Sequence, residues 1–433
     1  TIKILKMSNT KLLSFLFAAT LFVACSEDDP IVEYVTVTET VVETVTVEVE
    51  AQPEVPEVQT VGTGGVTYIE EDTTWTNDRI WLMDGKIVVR GGATLTVEAG
   101  TIVKAETEDG ADATVLVIAK GGMINAVGTA DNPIIFTDND DQIGYDDNGI
   151  SPNRVPSDMG KWGSIVVLGN ASTGTDTGEA EIEGIATGYE WTTYGGSDDT
   201  ENSGSIEYVS IRHSGKTLNA GEELQGLTLG GVGNGTTVQN VEIVGSQDDG
   251  IEIFGGSVDV TNLFIYYNGD DAIDLDQAYK GTIHNAVVIM NTGTDNVFEF
   301  DGTEDSTGTI DGAFSVHHVT AYGNASAEKT DTYGHWKSDA TCYTANVVYK
   351  DFIAGTTIEG IDADTYGGLG TEATIGSLLF SNLDFITSDA LADIFSATSV
   401  TDYADISETL TEQADSTGAD ETVFAWTLYA RGE

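Results

Sequence analysis

Between residues 236 and 302 acidic side chains recur at one spacing. Asp248 and Asp249 are followed 22 residues later by Asp270 and Asp271, and the next repeat offers Asp295 and Asn296. Glu252, Asp274 and Glu299 make a second series, each flanked by apolar residues, and Asp276 and Asp301 begin a third where the preceding repeat has Phe254. Carboxylates stacked on neighbouring strands, about 4.8 Å apart, repel by roughly 1 kcal/mol in water and by several when dry. They coexist if solvated, if some are protonated, or if a hard cation sits between them. Calcium takes about six to eight oxygens, so Asp248, Asp249, Glu252, Asp270, Asp271, Asp274, Asp276, Glu299 and Asp301 are candidate ligands. The plain alternative is a set of turn residues and a wet face in a chain that is acidic throughout.

The same residues admit catalysis. Asp249 with Asp270 and Asp271 resembles the acid layout of polygalacturonases, in which one Asp protonates the leaving sugar and others activate water. The resemblance is incomplete, because residues 291–296 lack that family's Gly-His-Gly and no Arg-x-Lys follows. A lyase of the pectate type needs calcium and a basic residue, for which Lys280 or Arg212 would have to serve. Tyr266 and Tyr267, just before the second acid pair, and Trp191, in a Gly/Thr-rich stretch, are candidate platforms for stacking a sugar. His317 and His318 alternate in and out of a strand and read as core or corner packing, since no third nitrogen ligand shows a matching spacing. Cys342 reads as an inert buried thiol.

The elements that must position these groups are short strands broken by glycine. Val238, Asn240, Val241 and Ile243 match Val260, Asn262, Leu263 and Ile265, which match Ile283, Asn285, Ala286 and Val288. The apolar residues flanking each Asn are three apart, so the inside/outside alternation breaks there and the chain must turn a corner. Asn tolerates the left-handed backbone of such a corner, and stacked amides can bond along the column, which makes Asn240, Asn262 and Asn285 a structural ladder. Three strands and three turns per 22–25 residues describe one coil of a parallel β-helix. The expected fold is therefore all-β, a single right-handed parallel β-helix over residues 66–433 of about twelve coils, with loop insertions near 138–160, 172–204 and 216–225. A helical pattern of any length is confined to residues 389–397, and a β-sandwich would not explain asparagines recurring at one coil length.

Composition narrows the function classes. The 433 residues carry 72 acidic and 17 basic side chains, a formal charge of -55 that excludes a partner held by phosphate neutralisation, nucleic acid above all. Hydrophobic residues at 40% suffice for a large core, so the acidity is not that of a disordered tail. Cys25 and Cys342 are too few and too far apart for a disulfide scaffold.

Residues 1–24 read as a signal peptide starting at Met7, with Lys11 before the apolar stretch 12–24. The ending Val23-Ala24-Cys25 resembles the lipobox of bacterial lipoproteins, and Ser26-Glu27-Asp28-Asp29 resembles the surface-export tag of Bacteroidetes lipoproteins. That resemblance implies lipidation at Cys25, anchoring in outer-membrane lipid, and exposure at the cell surface. Loss of Lys3, Lys6 and Lys11 with the signal would take the charge from -55 to -58. Residues 25–65, rich in Val, Thr, Glu and Pro, read as an extended acidic stalk, or alternatively as a paired strand.

Further segments carry a wider likeness: Leu82-Met83-Asp84-Gly85-Lys86, Gly92-Ala93-Thr94-Leu95-Thr96-Val97, Gly128-Thr129-Ala130-Asp131-Asn132-Pro133, Leu227-Thr228-Leu229-Gly230-Gly231-Val232-Gly233 and Gly269-Asp270-Asp271-Ala272-Ile273-Asp274. With these the chain resembles a family of Bacteroidetes surface lipoproteins with a pectin-lyase-like β-helix, over most of residues 75–305. The likeness implies fold and location and leaves activity open. The functional expectation is a non-catalytic binding or structural module, for an extracellular polysaccharide with calcium. The alternatives are a polysaccharide-degrading enzyme using Asp249, Asp270 and Asp271, and an adhesin.

Overall fold

The computed structural model describes residues 57–431 apart from 109, 186–187, 218–222, 307–311, 325–331, 338–339, 361–377, 396–403 and 407–417; for 404–406 it describes the backbone alone. Cys25, the signal segment and residues 25–56 of the expected stalk lie outside the described residues, as does part of the 216–225 insertion.

Twenty-three strands join in one sheet in which each pairing is parallel. Parallel partners need a crossover between them, and here each crossover is the rest of a coil, so the sheet closes into a solenoid. One stack of twelve strands runs from Glu57–Ile69 to Ala404–Ile406. The first coil begins earlier than the change of texture at Val66. Glu57–Ile69 is a single strand paired with Arg79–Val89, so the last part of the expected stalk belongs to the solenoid. The 389–397 pattern yields one helical turn, Leu391–Ile394.

In the central coils two of the three faces come from one bent strand. Thr237–Ser246, Val260–Asn268, Thr282–Ile289, Phe314–Tyr322, Cys342–Lys350 and Leu378–Phe385 each turn their first corner at a residue of positive φ: Asn240 (53°), Asn262 (58°), Asn285 (63°), His318 (60°), Asn346 (55°) and Asn382 (54°); the first two strands bend again near their ends, at Gly245 (70°) and Tyr267 (64°). Left-handed backbone costs an ordinary L-residue roughly 1–2 kcal/mol, which Asn partly offsets through local hydrogen bonds. The amides form the column that the sequence implies: Asn262 Nδ2 donates to Asn240 Oδ1 at 2.9 Å, and Asn285 Nδ2 to Asn262 Oδ1 at 2.7 Å.

The third face is a stack of separate short strands: Ile165–Leu168, Leu227–Gly230, Ile251–Phe254, Ile273–Asp276, Phe298–Phe300 and Gly334–Trp336. Alternate residues point inward, so Ile165, Leu227, Ile251, Ile273 and Phe298 stack in the core while Val166, Thr228, Glu252, Asp274, Glu299 and His335 form a column on the outer side. The 172–204 insertion folds back over the first coils of this face. Its Trp191 and Tyr194 join Val117, Val166, Leu168 and Phe254 in a separate apolar cluster outside the solenoid core. Residues 418–431 form a strap that runs back along another face, from Asn346 towards Asn148.

Candidate acidic site

The acid series land in register on adjacent coils. Glu252 pairs with Asp274 and Asp274 with Glu299, while Phe254 pairs with Asp276. They lie on the outer side of the sheet, but not on the wet face of the plain alternative. Glu252 and Asp274 are 5% and 7% exposed, and Asp249 and Asp271 are 5% and 2% exposed. The insertion explains much of the cover: Gly255 is packed against Thr173, Tyr194 lies 5.9 Å from Phe254, and its hydroxyl donates to Gln277 Oε1 at 2.9 Å. Asp276, Glu299 and Asp301 are half-buried, as is Asp248, and Asp270 is exposed.

Asp249 and Asp271 have a structural role as well. Asp249 Oδ1 accepts the backbone N–H of Asp271, and Asp271 Oδ1 accepts that of Asn296, both at 2.8 Å. Each carboxylate thus ties its turn to the next coil. Three groups of oxygens come together: Asp249, Glu252 and Asp274; Asp249, Asp270 and Asp271; and Asp271, Asp274 and Glu299, the atoms of each group within 4.8 Å of one another. Glu252 Oε2, Asp274 Oδ1 and Asp301 Oδ1 are buried without a hydrogen-bond partner. Orphaned buried carboxylate oxygens are costly and call for a proton or an ion.

Protonation records the same stress. Burial, then repulsion from neighbouring acids, drives Asp249, Glu252 and Asp274 well above the carboxylate range. Burial and a hydrogen bond to Glu299 push Asp271 to about 9; burial and Asp301 push Asp276 to about 8; burial and Asp270 push Asp248 to about 7. Burial opposes ionisation of Glu299 too, but bonds from Asp271 and Lys337 prevail and hold it low. Lys337 is ion-paired with Glu299 and stands 3.6 Å from Asp301, while His335 lies 3.7 Å from Glu299.

Lys337 and His335 escape a reading by coil spacing. Asn296 and Thr332, bridged on adjacent coils, are 36 residues apart, so insertions carry the next members of the column out of the 22–25-residue register. The bases singled out from sequence sit elsewhere. Arg212 is buried beside Ser210 and Glu242 on another face, and Lys280 donates to Ser172 Oγ at 2.6 Å.

Residues 67–429 match the family described as the pectate-lyase-like beta-helix domain. The chain belongs to this family. Neither the curated proteins nor the solved structures gave a match. Membership of the pectate-lyase-like family points to a polysaccharide-related function. The aromatics expected to stack sugars do not stand free as platforms in this member. Trp191 is 4% exposed and stacks on Tyr189 at 5.3 Å, leaving Tyr189 as the exposed ring. Tyr266 is half-buried with Tyr429 of the strap across it at 5.1 Å, and Tyr267 is a corner residue with φ 64°.

The donor set fits calcium. It is all carboxylate oxygen, and the oxygens of each group lie within 4.8 Å of one another, inside the about 4.8 Å that separates two ligands on opposite sides of a calcium ion; binding an ion would displace the protons that burial favours. Asp249, Glu252 and Asp274 would hold an ion at one level, and Asp271, Asp274 and Glu299 at the next.

Proposed function

We propose that the chain is a calcium-dependent, non-catalytic binding module for an acidic extracellular polysaccharide, anchored by lipid at Cys25 to the outer surface of a bacterial cell. The observation that carries this reading is the pair of buried, unpartnered oxygens on Glu252 and Asp274, in register on adjacent coils. A divalent ion would relieve their repulsion and present positive charge to carboxylate or sulfate groups on a glycan. An acidic protein and an acidic polymer would then be bridged rather than repelled.

A non-catalytic role is favoured because Asp249 and Asp271 already accept backbone N–H bonds of the next coil, which fixes them in place. Lys337 supports a second reading, a polysaccharide lyase, since it is a basic group beside the candidate ion ligands. Bonds to Glu299 and the charges of Glu299 and Asp301 outweigh burial and raise its pKa, so it is held protonated and unsuited to abstract a proton.

Glycan arrays of polygalacturonate, alginate and sulfated polymers, run with calcium and with chelator, test the proposal. Calcium-dependent binding that is lost in Glu252→Gln/Asp274→Asn is the expected result. Ultraviolet detection of unsaturated ends and a reducing-end assay cover catalysis. Turnover abolished by Asp271→Asn or Lys337→Met would overturn the non-catalytic assignment.

A further inference from the structure

Read from sequence, His317 and His318 have no third nitrogen partner. The fold supplies one. His284, on Thr282–Ile289, stands in register with His317 on Phe314–Tyr322, and His318 follows at the corner. The ring centroids lie 4.8 Å apart for His284 and His317, and 5.2 Å apart for His318 with each of them. One nitrogen of each ring lies within 4.8 Å of the others, and the Nδ1 atoms of His317 and His318 are 2.9 Å apart. All three side chains are half-buried, reachable from solvent yet held by the strands.

Three imidazoles turned towards one point are more than corner packing requires. A corner needs a residue that tolerates positive φ, which accounts for His318 alone. It does not account for His284 and His317, which occupy ordinary outward strand positions. His317 Nδ1 and His318 Nδ1 face each other at hydrogen-bond distance, an N–H···N contact that an ion bound by both nitrogens would replace. An imidazole with the ordinary pKa of about 6.5 is largely neutral at physiological pH, and the neutral ring is the form that ligates metal.

We propose that His284, His317 and His318 bind one borderline divalent transition-metal ion, such as Zn2+, with a coordination position left open to water or a ligand. Neutral imidazoles select zinc, copper or nickel over calcium. Tetrahedral zinc with bonds of about 2.0–2.1 Å sets its nitrogens about 3.4 Å apart. The 2.9 Å between His317 Nδ1 and His318 Nδ1 is shorter than that and one nitrogen of each ring lies within 4.8 Å of the others, so the rings need to adjust but not to travel to close on one ion. Three histidines with an open fourth position are the donor count of metal sites that bind exchangeable ligands. This site is chemically separate from the oxygen ligands of the acidic face.

Titration of the tag-free full-length protein with Co2+ tests the assignment. The expected result is the visible absorption of tetrahedral Co2+ saturating at one equivalent, displaced by Zn2+ and unchanged by millimolar Ca2+. His284→Ala and His317→Ala should weaken binding at least tenfold. His318→Asn should do the same while keeping the corner, because Asn holds the equivalent positions in the coils on both sides; its melting curve then serves as the folding control. Absence of the absorption, or an absorption that survives all three substitutions, would overturn the proposal. So would displacement by Ca2+ or loss in Asp274→Asn, which would assign the ion to the acidic face.

Discussion

Asp420 donates its backbone N–H to Oδ1 of Asn285 at 2.6 Å, across 135 residues of sequence. Within the ladder that oxygen would accept the amide of the next corner residue. The next corner is His318, which has no amide to offer, and the C-terminal strap fills the place. The neighbouring links have the same character. Ala419 N–H donates to Thr320 Oγ1, Tyr322 Oη donates to Glu421, and the Leu428 N–H donates to the buried Glu242. The strap therefore closes a polar column that would otherwise end unsatisfied.

Asn262→Ala should destabilise the solenoid by about 1–3 kcal/mol, since Ala loses both amide bonds and tolerates left-handed backbone poorly. Asn262→Gly keeps the backbone conformation and loses only the bonds, so its loss should be smaller. Urea midpoints for the two variants separate the contributions. Midpoints equal to the wild type would show that the column adds nothing to stability.

Phe424→Ala should release the strap more than it unfolds the solenoid. Phe424 is 3% exposed and packs on Phe264 at 5.5 Å, and truncating such a ring costs about 3 kcal/mol or more. The strap lies outside the coil interior, so the cost should appear as faster hydrogen exchange in 418–431 and the outer side of Val260–Asn268. Exchange in Ile251–Phe254 should stay slow. Uniformly faster exchange would mean that strap and solenoid unfold together.

The solenoid was legible because one corner per coil needs a left-handed residue, and Asn240, Asn262 and Asn285 mark it at nearly constant spacing. The acid columns were legible for the same reason, since a fixed coil length turns sequence period into spatial register. Their burial was not legible. It depends on the 172–204 insertion, whose Trp191 and Tyr194 pack on the outer side of the sheet instead of facing solvent. His335, Lys337 and the pairing of His284 with His317 were hidden by insertions that lengthen the later coils. The strap has no periodicity of its own, and it lies within the 66–433 range expected to be solenoid throughout.

In chelator, stability should fall as pH rises from 5 towards 9. Asp248, Asp271 and Asp276 have folded pKa values of about 7, 9 and 8, against about 3.9 in an unfolded chain. Between these limits the folded protein holds protons that the unfolded chain has released. Unfolding then releases protons, and the stabilisation present at low pH is lost as each group ionises in the folded state. Millimolar calcium should flatten the slope by taking the place of those protons. Melting temperatures across pH with and without calcium measure it; a stability that rises with pH in chelator would show that the carboxyls are solvated.

Lys337 occupies the position that a second ion would contest. Its ammonium is paired with Glu299 and lies 3.6 Å from Asp301, so it partly neutralises the outer end of the column. Lys337→Met removes that charge while keeping most of the stem. Without calcium the variant should melt lower, because Glu299 loses the bond that keeps it ionised and must compete with Asp271 for a proton. With calcium the balance reverses. The ion no longer competes with an ammonium for Glu299, and affinity should rise several-fold, up to about tenfold for a gain of about 1.4 kcal/mol. Lys337→Arg preserves the charge and should leave affinity near that of the wild type. Calorimetric titration of the three proteins decides the matter. Equal affinities would place the ion on Asp249, Glu252 and Asp274, two and three coils away from Lys337, and leave Glu299 as a partner of the lysine alone.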